Sequence, residues 1–130
     1  MQDFKNLLVW QAARRFTKAM YELTASFPQS EQFGLKMQMR RATVSIFANI
    51  AEGSGRRGDR EVRRFLDVAM GSVCEVECEL ILSFDLVLIN ETAMAQAVAS
   101  LAEIRRSLMD RLIAGSAQIK ADAAGLKRGA

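Results

Sequence analysis

Five arginines, Arg56, Arg57, Arg60, Arg63 and Arg64, fall within nine residues of this 130-residue chain, and Gly53, Gly55 and Gly58 punctuate the stretch around them. A guanidinium presents a planar fork of N–H donors that matches two phosphate oxygens, and glycine lets backbone N–H groups approach an anion where a helix begins. The chemistry implied is contact with a phosphate backbone. No GxxxxGK[ST] loop accompanies it, so nucleotide hydrolysis is not indicated. Lys36 and Arg40 are further candidates upstream for the same contact. A solvated turn whose arginines pair with nearby carboxylates fits these residues equally well, and such surface pairs contribute little to stability.

Between residues 36 and 64 there are eight Lys and Arg against three Asp and Glu, whereas residues 65 to 104 hold seven carboxylates and no Lys or Arg. The overall formal charge of +3 is too mild to argue for nucleic acid, so the distribution carries the argument. Histidine is absent, which excludes imidazole general bases, Ser/Cys–His triads and imidazole-dependent zinc sites. Glu75, Glu77, Glu79 and Asp85 raise a carboxylate-bridged metal centre as a rival, but its Glu-x-x-His element cannot be built without histidine. Glu75 and Glu79, one turn apart, are expected instead to pair with Arg40 or Arg41 across a helix contact. Cys74 and Cys78 cannot close a tetrahedral zinc site alone and are expected to be small buried hydrophobes in a reducing compartment. No enzymatic activity and no cofactor are expected.

The elements that must position these groups read as helices, because apolar residues recur at spacings of three and four almost everywhere. The first runs from about Leu8 to Ser26, with Val9, Ala12, Phe16, Ala19 and Leu23 as its buried stripe and Pro28 beyond its end. The second is expected from a Ser30 cap through Leu35, Met39, Ala42, Ile46 and Ile50 to a glycine stop at Gly53. After the glycine-rich loop, with Asp59 as candidate cap, the third carries Val62, Leu66, Ala69, Val73, Val76, Leu80 and Val87. A second stripe of Phe65, Cys74, Cys78 and Ile81 widens its apolar face. Asn90 or Thr92 caps a fourth helix, from about Glu91 to Ile119, which buries Ala97, Leu101, Ile104, Leu108 and Leu112. The implied fold is all-α, an antiparallel up-down four-helix bundle, with residues 1–120 as one domain and 121–130 as a flexible basic tail. The apolar window Leu80 to Ile89 is ten residues long and holds Asp85, well short of the ~20 a membrane crossing needs. No secretory leader is recognised either, so a cytoplasmic protein without membrane contact is expected.

A series of ordered words adds to this reading: Phe4, Leu8 and Trp10; Tyr21; Phe27-Pro28; Phe33-Gly34-Leu35; Gln38; Arg40-Arg41-Ala42; Ser45-Ile46; Asn49-Ile50-Ala51-Glu52-Gly53; Phe65-Leu66; Ala69; Gly71-Ser72; and Glu75-x-Glu77. Over about residues 4 to 90 they resemble the four-helix-bundle family first found encoded by intervening sequences inside bacterial large-subunit ribosomal RNA genes. The resemblance implies a cytoplasmic homopentameric ring with no established enzymatic activity. The accessory protein of diversity-generating retroelements is similar in fold, and its basic ring surface binds nucleic acid and a reverse transcriptase, which implies RNA or DNA as a partner here. Arg41, Asn49, Glu52, Gly53, Gly71 and Glu75 fall in the family's words. For these, structural roles are expected: Gly53 as a left-handed helix stop, Asn49 and Glu52 tying Arg41 or loop groups, and Gly71 permitting close approach of a helix or subunit. Trp10 and Tyr21 are expected in the core or at a subunit interface. The functional expectation is an oligomeric bundle binding RNA or DNA through phosphates; the alternative is a structural or protein-interaction scaffold.

Overall fold

The computed structural model describes residues 3–129, with side chains described for 3–115 and 120–125. Four helices follow one another, α1 (Leu8–Thr24), α2 (Leu35–Ser54), α3 (Asp59–Asp85) and α4 (Glu91–Gly129), joined by short connections and packed α1 on α2, α2 on α3, α3 on α4 and α4 on α1. This is the all-α four-helix bundle expected from the spacing. Among the described residues there is no strand, and no helix is long and apolar enough to cross a membrane.

The core is a single cluster in which Met39, Ile46 and Ile50 of α2 meet Val73, Val76 and Leu80 of α3 and Leu101, Ile104 and Leu108 of α4. From α1 it takes Val9, Ala13, Phe16 and Met20, a stripe rotated from the one read in the sequence. The rotation has a polar cause. Thr17 and Thr24 are buried because their hydroxyls donate to Ala13 O and Met20 O, each at 2.8 Å, so neither brings an unsatisfied group inside.

The helix ends depart from expectation in instructive ways. Ser30 lies in a short 3-10 turn, Gln29–Glu31, and α2 starts at Leu35, whose N–H donates to Glu31 Oε2 at 3.1 Å. Gly53 is not a stop: it lies inside α2, where an added Cβ would come within 3.2 Å of Phe65 Cβ, so its value is close packing against α3. Gly58, at φ 84°, precedes α3 in place of Asp59, which is the first helical residue. Asn90 does cap α4, its Oδ1 accepting from Ala93 N at 2.8 Å. The last helix continues past Ile119 to Gly129, a run in which Ala121, Ala123 and Ala124 form helix without needing packing partners.

The second apolar stripe on α3 is overturned. Cys74 and Cys78 are exposed, as is Ile81, because the strip through Leu66, Ala69, Val73, Val76 and Leu80 suffices to meet both neighbours. Val87 is exposed as well, past the end of the helix.

Candidate nucleic-acid interface

The turn between α2 and α3 holds its arginines in three different ways. Phe65, on the second turn of α3, has the Arg56 and Arg64 guanidiniums over its ring at 4.7 and 4.8 Å from the centroid. Each of the two also meets a carboxylate, Arg56 with Glu52 at 3.0 Å and Arg64 with Glu61 at 3.2 Å. Arg63 pairs loosely with Asp67 at 3.9 Å and has a further partner. Arg57 and Arg60 are exposed and have no hydrogen-bond or ion-pair partner among the described residues. Arg57, Gly58, Asp59, Arg60 and Glu61 line a shallow hollow together with Asp122 and Ala123 of α4. The start of α3 is not itself an open anion site: Asp59 and Glu61 occupy its first turn and already complement the helix dipole. Any phosphate contact here falls to the guanidiniums.

Two of the sequence candidates lie elsewhere. Lys36 sits in the first turn of α2, about 27 Å along the axis from Ser54 at a rise of ~1.5 Å per residue. Arg40 is committed within the chain: its Nε donates to Thr24 Oγ1 and its Nη2 to Tyr21 O, each at 2.9 Å, and its guanidinium lies 4.4 Å from the Tyr21 ring centroid. It thus serves the carbonyl end of α1, where a cation complements the dipole. The first half of α1, with Arg14 and Arg15 exposed, lies at the arginine end, as does the short 3-10 turn Phe4–Asn6 before it, with Lys5 exposed, since Trp10 of α1 packs on Phe47 of α2 at 6.2 Å between centroids.

The family words have structural roles, though not all the expected ones. Asn49 donates to Ser45 O at 2.8 Å and to Ser45 Oγ at 3.1 Å, and the Ser72 hydroxyl donates to Ser45 Oγ at 2.8 Å, a polar bridge from α2 to α3. Glu52 holds Arg56, and Arg41 is exposed and tied to neither. Among the described residues no atom of another element lies within 4 Å of a Cβ built on Gly71, so no helix approach among them explains it.

The expected pairing of Glu75 or Glu79 with Arg40 or Arg41 is absent. Glu77 instead pairs with Arg105 of α4, a partner beyond the reach of spacing rules. Glu79 is 7% exposed, and neither of its carboxylate oxygens has a hydrogen-bond partner. Burial, reinforced by the charge of Glu75, pushes its carboxyl up to about 7. Among the described residues no group of three or more Cys, Asp or Glu is placed to hold a metal ion.

A family model described as 23S rRNA-intervening sequence protein matches residues 5–110. A crystal structure of a protein of unknown function from the S23 ribosomal protein family of Bacteroides thetaiotaomicron is similar in fold, with TM-score 0.73 at 20% identity over 81% of this chain and 98% of that one. No curated protein matches the chain.

Proposed function

The chain belongs to the 23S rRNA-intervening sequence protein family, and on that premise we propose that it is a non-enzymatic, cytoplasmic homo-oligomer that binds RNA or DNA through phosphates. The family resemblance implies five copies. The observation that carries the reading is the pair Arg57 and Arg60, exposed and without hydrogen-bond or ion-pair partners among the described residues, flanked by Arg56 and Arg64 already placed on Phe65. Four guanidiniums gathered about one turn favour phosphate contacts over base edges, so the binding is electrostatic and weakly sequence-selective. Repetition around an oligomer multiplies a weak patch without new contacts.

The test is a fluorescence-anisotropy titration of nuclease-treated protein against structured RNA and duplex DNA at two salt concentrations, beside Arg57→Glu/Arg60→Glu. Affinity should fall steeply with salt and be lost in the variant, with helicity and assembly unchanged; undiminished affinity in the variant refutes the proposal. A protein scaffold is the second reading, favoured by the exposed apolar residues Ile81, Leu82, Phe84 and Leu86 at the far end of α3. A pull-down that survives nuclease treatment would support it.

A further inference from the structure

Among the described residues Val87 is the single non-glycine residue with positive φ, at 59°. It follows the last turn of α3, where Leu88 N–H reaches Ser83 O at 2.9 Å and Val87 N–H reaches Phe84 O at 3.0 Å. This closure normally places glycine or asparagine at the left-handed position, and a β-branched residue there is strained. Packing inside the chain does not compensate, because Val87 is 87% exposed. Strain held by an exposed apolar side chain points to a contact outside the chain. Leu86, also exposed, and Asp85 stand beside it.

The outer face of α2 carries the complement. Phe33, just before α2 and 81% exposed, lines a hollow with Met37 and Val44, and Lys36 and Arg41 stand at its edge with no hydrogen-bond or ion-pair partner among the described residues. The projection is apolar and acidic; the recess is apolar and basic. Turn against turn repels, and so does recess against recess, so the favourable pairing is turn into recess. The α3–α4 turn lies at the end of the bundle remote from the arginine turn, since α3 ends where α2 begins, and the hollow runs from that end toward the middle of α2.

We propose that the α3–α4 turn of one copy seats Leu86 and Val87 in the α2 hollow of a second copy, with Asp85 facing Lys36 and Arg41. The inference rests on the self-assembly part of the function proposed above. The contact joins two different surfaces, so it propagates head to tail and closes into a ring when the rotation allows. Copies standing side by side and parallel bring turn and hollow to one level, and all their arginine turns then share one face.

Sedimentation velocity on the full chain tests this, with circular dichroism to confirm that each variant is helical. Asp85→Lys alone, and Lys36→Glu/Arg41→Glu alone, should weaken assembly by about tenfold or more in dissociation constant, and the three changes together should restore it. Val87→Gly should keep the fold and also weaken assembly. An oligomer that neither charge reversal weakens, or that the combined variant fails to restore, overturns this contact and leaves self-assembly standing. A monomeric wild-type protein overturns the self-assembly reading as well, while nucleic-acid binding is judged by the separate titration.

Discussion

Replacing Glu79 by glutamine should stabilise the protein, and the gain should depend on pH in a defined way. The carboxyl has an ordinary value of 4.5 and rises to about 7 in the fold. Below pH 4.5 both states hold the proton and the group contributes no pH dependence. Between 4.5 and 7 the unfolded chain releases the proton and the folded chain keeps it, so stability falls by up to ~1.4 kcal/mol per pH unit. Above 7 the loss levels off at roughly 3 kcal/mol, a large share of the ~5–15 kcal/mol that holds a domain together. Glu79→Gln keeps the shape and removes the ionisation. Urea denaturation followed by circular dichroism should therefore give equal stabilities near pH 4.5 and a variant more stable by ~2–3 kcal/mol at pH 8. Glu75→Gln, which removes the lesser cause, should lower the Glu79 value only partly. Parallel stability curves for wild type and Glu79→Gln across pH 5 to 7, or a less stable variant at pH 8, would refute the reasoning.

Val87→Gly relieves a left-handed β-branched residue and should stabilise the dissociated chain by ~1 kcal/mol, read as a rise in melting temperature of a few degrees at low protein concentration. Gly53→Val pushes a branched side chain against Phe65 Cβ, which already lies 3.2 Å from the position of a single added Cβ. It should lower stability by ~1–3 kcal/mol and also weaken nucleic-acid affinity by displacing the ring beneath Arg56 and Arg64, measurable by denaturation and anisotropy. Arg40→Ala should lower stability by ~1–2 kcal/mol with RNA affinity unchanged, whereas Arg57→Ala/Arg60→Ala should lower affinity with stability unchanged; the reverse pattern would exchange their roles.

The helices and most core positions were legible because each α2 to α4 stripe is plainly apolar at helical spacing, from Met39, Ile46 and Ile50 to Leu101, Ile104 and Leu108. In α1 the stripe was misread because Thr17 and Thr24 look polar and are buried through bonds to their own helix, which hydropathy does not register. Cys74 and Cys78 misled for the opposite reason: their type suggests burial, while their place on α3 depends on how many neighbours that helix has. The arginine turn was visible as composition. Its internal order was not, because Phe65 looked like a core residue and the α4 wall at Asp122 is about sixty positions away in sequence. Likewise Lys36 and Arg40 seemed to belong with the other cations until the axis of α2 separated them from the turn.

The separation of charge along the bundle has a consequence for encounter. Along the α2–α3 turn and α3, Arg56, Arg57, Arg60, Arg63 and Arg64 precede Glu75, Glu77, Glu79 and Asp85, so this edge of the bundle carries a charge gradient along its length. A polyanion exerts a torque on such a body before any atom touches, turning the arginine end forward and narrowing the search over orientations. The torque acts across distances that physiological salt screens with a decay length of about 8 Å, whereas ion contacts at the surface survive closer in. Raising the salt should therefore slow the approach as well as loosen the grip, with part of the lost affinity appearing as a slower association rate.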